Sequence, residues 1–186
     1  MPKVSIVMRT KDRLPFLRRA LADVAAQTFP DWELLIINDA GDKTALDELC
    51  TGLDTALRAK ITVRHLPDNI GRSAAAQCGL DAASGEYLAL HDDDDTWHPD
   101  FLQHCVRFLD SNPASAAVMV RTEIVHEEAD GQGGWQESGR ETVAPEIHEM
   151  SLLELLVVNK AVPIGCLYRV RVLRAIGGFD TALPVV

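Results

Sequence analysis

An α/β fold with a mostly parallel central sheet is what the 186-residue chain predicts, from three observations. Short apolar runs alternate with segments whose apolar residues recur at helical spacing. That alternation implies right-handed crossovers, and so a parallel sheet with helices on both faces. Four polar clusters each directly follow a predicted strand. Finally, 47% hydrophobic residues in a chain of this length suffice for one domain with a sizeable core.

The elements follow in order. Val4 to Met8 reads as a short buried strand, and Arg9 to Arg13 as a polar turn. Pro15 suits the first turn of a helix over Leu14 to Gln27, where Phe16, Leu17, Ala20, Leu21, Val24 and Ala25 recur on one face. Trp32 to Ile37 is a second strand, ending at Asn38-Asp39-Ala40-Gly41. Lys43 to Leu57 reads as one helix, with Leu46, Leu49, Leu53 and Leu57 aligned. Ile61 to Leu66 is a third strand, and Ser73 to Ala83 a small-residue helix closed by Ser84-Gly85. Glu86 to His91 is a fourth strand, after which Pro99 opens a helix to about Ser111. Ala116 to Arg121 adds a strand. Glu123 to Glu149, with Gly131, Gly133 and Gly134, reads as an exposed excursion containing a hairpin. Ser151 to Val158 returns to a helix, with Ser151 as its N-cap and Glu154 three residues on. Ile164 to Tyr168 is a last strand and Val170 to Ile176 a last helix.

Composition excludes several classes. Eighteen basic against 28 acidic residues leave a net charge of −10, which argues against nucleic acid as a partner. No apolar run reaches the roughly 20 residues that span a bilayer. The run after Met1-Pro2-Lys3 is too short for a signal peptide. A cytoplasmic location follows as the default, compatible with peripheral association at the inner face of a membrane. Cys50, Cys78, Cys105 and Cys166 form no C-x-x-C pair and read as buried free thiols. His91 and His98, seven apart, flank the aspartate run and leave zinc as a poorly supported alternative, while the other four histidines form no ligand pattern. Neither a P-loop nor a dinucleotide fingerprint is present.

The chemistry sits in the polar clusters: Thr10 to Arg13, Asn38-Asp39, Asn69 to Arg72, and Asp92 to Asp95. In a parallel sheet all strand carboxyl ends share one rim, where ligands bind. Each cluster has an ordinary structural use. Asn38 to Gly41 has turn composition, and Asp12 could cap the first helix. Arg72 at a helix start opposes the dipole, which favours an anionic ligand beside it. The run of four aspartates is the sharpest signal. Carboxylates ~4 Å apart repel by about 1 kcal/mol in water and more near a protein surface. A hard divalent cation, Mn²⁺ or Mg²⁺, compensates that repulsion; Mg²⁺ takes only one or two carboxylates and completes its shell with water and phosphate oxygens. An acidic loop of this kind therefore implies a phosphorylated ligand.

The order of motifs resembles family 2 glycosyltransferases of the GT-A fold along essentially the whole chain. The carriers are Val4 to Arg13, Gln27-Thr28-Phe29, Asn38-Asp39 and Asn69-Ile70-Gly71-Arg72. They continue with Ser84 to Leu88 followed by Asp92 to Asp95 and Trp97 to Asp100, and end at Gly177-Gly178-Phe179-Asp180. Departures are Lys11 where the family often has an aromatic, Ala76-Gln77 in place of Arg-Asn, and Asn38 in place of aspartate.

The resemblance implies a Rossmann-like nucleotide-sugar-binding half over 1–112 and the start of an acceptor-side half over 113–186, within one domain. It implies Thr10 and Lys11 lining the base pocket, Asp39 accepting from the base, and Arg72 beside base or diphosphate. It also implies Asp92 and Asp93 near ribose and metal, with Asp94 as the principal metal ligand and Asp92 its companion. The implied activity is metal-dependent, inverting transfer from a nucleoside diphosphate sugar, with UDP as the nucleotide. The acceptor would be a saccharide, lipid-linked or protein hydroxyl, in cell-surface polysaccharide or glycoconjugate synthesis. The family's carboxylate base follows the Gly-Gly-Phe-Asp loop. It is expected past Val186 in a longer natural protein, with Asp180 as a possible substitute. A non-catalytic sugar-nucleotide or divalent-cation binding module and a nucleotidyltransferase are the alternatives. The second would normally carry a glycine-rich loop after its first strand, which Arg9 to Arg13 lacks.

Overall fold

The computed structural model describes residues 1–129, 131, 134–144 and 161–182. Strands β1 (Val4–Thr10), β2 (Trp32–Asp39), β3 (Ile61–Leu66) and β4 (Tyr87–Asp92) are joined in parallel. Helices α1 (Leu14–Ala25), α2 (Lys43–Thr51), α3 (Thr55–Arg58) and α4 (Arg72–Ala82) fill the connections. After α5 (Phe101–Ser111) come β5 (Ala117–Met119) and a hairpin of β6 (Glu123–Ala129) and β7 (Trp135–Thr142). A 3₁₀ turn at Pro163–Gly165 leads into β8 (Cys166–Arg169) and α6 (Val170–Ala175). The sheet order is β3-β2-β1-β4-β8-β5. The last segment wedges between β4 and β5 and runs antiparallel to both. This is the mostly parallel α/β architecture predicted.

The central strands β1, β2 and β4 are buried on both faces, and their alternate residues feed opposite cores. Val4, Ile6, Met8, Leu34, Ile36 and Ala89 pack with α1, α2 and α5. Val7, Leu35, Ile37, Leu88 and Leu90 pack with α4 and α6. The α4 core is thin because its residues are small. A Cβ on Gly79 would overlap the γ-methyls of Val7, so this glycine lets α4 lie directly on β1. Gly79→Ala should therefore destabilise by about 1–3 kcal/mol, the usual range for overpacking. Urea unfolding would check it; an unchanged midpoint would show that Val7 yields freely.

Several boundaries differ from the sequence expectation, each for a local reason. The helix expected over Lys43 to Leu57 breaks after Thr51, where Gly52 follows and Asp54 caps α3 through Ala56 N at 2.8 Å. Asp12 does not cap α1. Arg13 holds that position, and Asp12 turns to φ 55°, its Oδ1 accepting from Asp42 N at 2.7 Å. The helix after Pro99 begins two residues later, at Phe101. Ile164 and Gly165 belong to the 3₁₀ turn, not to β8. The expected excursion contains the β6–β7 hairpin, whereas the helix expected over Ser151 to Val158 lies outside the described residues. Among the described residues no helix is long and apolar enough to cross a membrane. The four cysteines are free; Cys50, Cys105 and Cys166 are buried and Cys78 half-buried.

Candidate active site

The carboxyl ends of β1, β2 and β4, with the start of α4, enclose a cavity of about 400 Å³. Its lining includes Thr10, Lys11, Asp39, Arg72, Asp92, Asp93 and Asp94, so every expected binding or metal residue stands at this one rim. Asp180 does not line it; that side chain is exposed and accepts from Ala182 N at 2.9 Å, bracing its own turn.

The loops around the cavity brace one another. Asp39 is buried, and its two carboxylate oxygens accept from Ile70 N at 2.8 Å and Gly71 N at 3.0 Å. Gly71 sits at φ 84°, ψ 167°, a conformation that L side chains rarely adopt. Asp39 and Gly71 together fix where α4 begins. Asn38 closes its own turn through Gly41 N (2.9 Å) and Gly41 O (3.0 Å), and its Nδ2 also reaches His65 Nδ1 at 3.0 Å. A Cβ on Gly41 would press on Asn38 and Asp12, so the turns after β1 and β2 touch closely. Polar turn chemistry and site construction are thus the same thing here.

The acidic run is held from three sides. Thr10 Oγ1 donates to Asp93 Oδ2 at 2.7 Å. Arg9 pairs with Asp92, opposite which it stands in the β1–β4 register, and donates to Arg72 O at 3.1 Å. Arg13 spans Asp93 (3.2 Å) and Asp94 (2.7 Å). Behind the loop, Asp23 of α1 accepts from Trp97 N at 2.8 Å and faces the fully buried His91 at 3.3 Å. Gln27 contributes through Leu102 N (3.1 Å) and His98 O (3.0 Å). Thr28 Oγ1 donates to Asp100 Oδ1 at 2.8 Å, so the Gln27-Thr28 pair buttresses the segment that follows the loop. Arg19 donates to Asp94 O at 3.3 Å while gripping Glu127 of β6, which ties the hairpin to the same loop.

Burial pushes the Asp93 carboxyl above its ordinary range, against the opposing pull of Thr10 and Arg13. Burial, then the neighbouring charges of Asp92 and Asp94, pushes Asp95 up to about 6. The loop thus carries more negative charge than its surroundings readily stabilise. Among the described residues, no three His, Cys, Asp or Glu side chains converge as a ready-made metal cage. The donor set nonetheless fits a hard cation. Asp94 is 42% exposed at the cavity mouth and Asp92 35%, so two carboxylates are within reach of solvent and a phosphate-bearing ligand. A site of one or two carboxylates, completed by water and phosphate oxygens, is how Mg²⁺ is usually held.

Arg9, Arg13 and Asp95 also line the cavity. Arg13 and Asp95 belong to polar clusters expected from sequence but had no individual role there, and Arg9 lies just ahead of the first cluster. The signal for the two arginines is charge balance: four adjacent carboxylates on one rim need cations from neighbouring strand ends. A second cleft of about 670 Å³ lies beyond the acidic loop, between Trp97, Phe101 and the β6–β7 hairpin.

Comparison with known proteins agrees with this geometry. The family model described as Glycosyl transferase family 2 matches residues 5–177. YwdF of Bacillus subtilis, named an uncharacterized glycosyltransferase, is 28% identical over 186 residues, covering 96% of this chain and 62% of its own length. The succinoglycan biosynthesis protein ExoW of Rhizobium meliloti is 41% identical over 105 residues, 55% of this chain and 32% of ExoW. The chain thus spans less than two thirds of these relatives. Among solved structures, the mannosyltransferase PcManGT of Pyrobaculum calidifontis, in complex with GDP-Man and Mn²⁺, superposes with a TM-score of 0.70. The match has 18% identity over 98% of this chain and 48% of that one. Staphylococcus aureus TarS 1–349 in complex with UDP gives 0.69, at 20% identity over 95% and 49%. At these identities the structural matches speak for the fold, which is GT-A.

Proposed function

Since the chain belongs to glycosyl transferase family 2, we propose that its rim cavity binds a nucleoside diphosphate sugar, with UDP as the nucleotide, for inverting transfer to a hydroxyl acceptor. The observation that carries this reading is that Asp39, the last residue of β2, and Asp94, on the loop after β4, line one cavity together with Arg72. One donor molecule can touch all three.

The residues divide the work as follows. Thr10 and Lys11 line the base end. Asp39, already bound to two backbone N–H groups, keeps further lone pairs as an acceptor for the base. Arg72 at the start of α4 supplies positive charge beside the diphosphate, where the helix N-terminus also favours an anion. A divalent ion on Asp94 and Asp92 would supply charge neutralisation as the diphosphate departs. Asp92 and Asp93, fixed by Arg9 and Thr10, hold the loop against its own repulsion. Deprotonation of the acceptor needs a carboxylate base, which is not assigned among the described residues. The relatives' names motivate an acceptor in polysaccharide or glycoconjugate synthesis, made in the cytoplasm or at the inner membrane face.

Calorimetry tests the reading. UDP should bind with at least tenfold higher affinity when Mn²⁺ is saturating than in EDTA, because nucleotide and metal share a coordination shell. Mn²⁺ binding that is indifferent to UDP would instead identify a plain cation-binding module. A preference for GDP over UDP would overturn the nucleotide assignment alone.

A further inference from the structure

Arg9 and Arg13 both pair with carboxylates of the aspartate run, and the two are built differently. Arg9 is a brace. It is 13% exposed, pairs with Asp92, and is tied to the backbone of Arg72. Arg13 is a surface group, with its side chain 43% exposed and its Asp94 partner 42% exposed. Only its Asp93 contact, at 3.2 Å, reaches a buried carboxylate. Its guanidinium lies 5.0 Å from the Phe16 ring centre, a support that leaves the fork free to turn. Nη2 stands 2.7 Å from Asp94 Oδ2. A cation coordinated by that oxygen and a guanidinium donating to it compete for the same lone pairs, and their like charges repel.

We propose that Arg13 is a resident counter-ion that stabilises the acidic loop before ligand arrives, is displaced from Asp94 by the divalent ion, and then pairs with the donor's diphosphate. Three features support this role. Arg13 lines the cavity itself, so the diphosphate would lie within its reach. A guanidinium recognises carboxylate and phosphate by the same two-pronged geometry, so the exchange conserves its hydrogen bonds. Solvent-exposed ion pairs are weak, so the latch is easily opened. The consequence is ordered binding. Metal alone meets a competing cation, whereas metal with nucleotide offers that cation a new partner. Arg13 thus couples the two ligands and suppresses idle metal binding. The inference rests on the donor-site reading above but concerns a residue to which that reading gives no role.

The test is Mn²⁺ affinity, followed by the electron paramagnetic resonance of free Mn²⁺, and UDP affinity by calorimetry, in the wild-type chain and three variants. Arg13→Gln should bind Mn²⁺ alone about fivefold more tightly than wild type, and bind UDP at saturating Mn²⁺ at least fivefold more weakly, the scale of one exposed ion pair gained or lost. Arg13→Lys, which keeps the charge but not the fork, should lie between wild type and Arg13→Gln on both scales. Arg18→Gln, the same charge change at an exposed position of α1 five residues on and outside the cavity lining, should match wild type on both. Unchanged or weaker Mn²⁺ binding by Arg13→Gln, with wild type still binding Mn²⁺ and UDP together, overturns the latch and leaves the donor site standing. Unchanged UDP binding overturns the transfer to diphosphate. Wild type that binds Mn²⁺ without regard to UDP overturns both readings. If Arg13→Gln does not fold, the Arg13→Lys shifts decide in the same directions.

Discussion

Asparagine in place of Asp94 is expected to weaken UDP-dependent Mn²⁺ binding by one to two orders of magnitude. It should lower sugar transfer or donor hydrolysis by about two to three orders, the scale of losing one electrostatic stabiliser of a leaving group. The substitution is nearly isosteric, and the residue is half-exposed, with Arg13 its side-chain ion-pair partner. Stability should therefore change little, which separates a binding defect from misfolding. Asp92→Asn should behave differently. It breaks the Arg9 pair that bridges β1 and β4, so loss of function should come with a lower melting temperature. If Asp94→Asn retains wild-type Mn²⁺ affinity in the presence of UDP, the metal is held elsewhere and the assignment of Asp94 fails.

The largest stability effect should come from a residue far from the cavity. Arg169 closes β8 and is only 6% exposed. Its guanidinium donates to Leu109 O at 2.7 Å, Ser115 O at 2.8 Å and Asn112 O at 3.3 Å, and reaches Glu86 and Tyr87 at 3.3 Å. It thereby fastens the end of α5 and the segment after it to the β4–β8 pair of the sheet. Arg169→Ala strands several buried acceptors at once and should cost about 3–5 kcal/mol. That is a large share of the roughly 5–15 kcal/mol that a domain possesses. A thermal midpoint lower by about 10 °C is expected. Arg169→Lys keeps the charge but cannot reach three carbonyls with one ammonium, so it should recover only part of the loss. A change under about 1 kcal/mol for the alanine variant would mean that water replaces the guanidinium without penalty.

Much of this organisation was legible in the sequence because its causes are local. Apolar runs such as Trp32 to Ile37 and Tyr87 to Leu90 specify buried strands, and the polar groups after them follow from parallel topology. The meeting of Asp39 with Asp92, Asp93 and Asp94 needed only the rule that carboxyl ends share a rim. What the sequence hid depends on pairing across distance. No local signal assigns Asp12 to Asp42 N instead of to the helix it precedes. No periodicity shows that residues 166–169 enter between β4 and β5. The helix expected over Lys43 to Leu57 fails for an identifiable reason. Leu53 and Leu57 keep the apolar spacing, but Gly52 and Asp54 offer a stop and a cap that tertiary packing accepts. Arg9 and Arg13 were visible as residues, yet their use as counter-ions emerges only when β1 is laid against β4.

The late arrival of β8 has a consequence for biogenesis. While the polypeptide emerges from the ribosome, β1 to β4 can assemble, but the open edge of β4 waits for a segment made much later. Until residues 166–169 are threaded into place, that edge offers unpaired backbone to any passing strand. The nascent domain is thus most vulnerable to aggregation in the interval between two translation milestones, and slow codons or chaperone capture there would act on yield without altering the finished molecule.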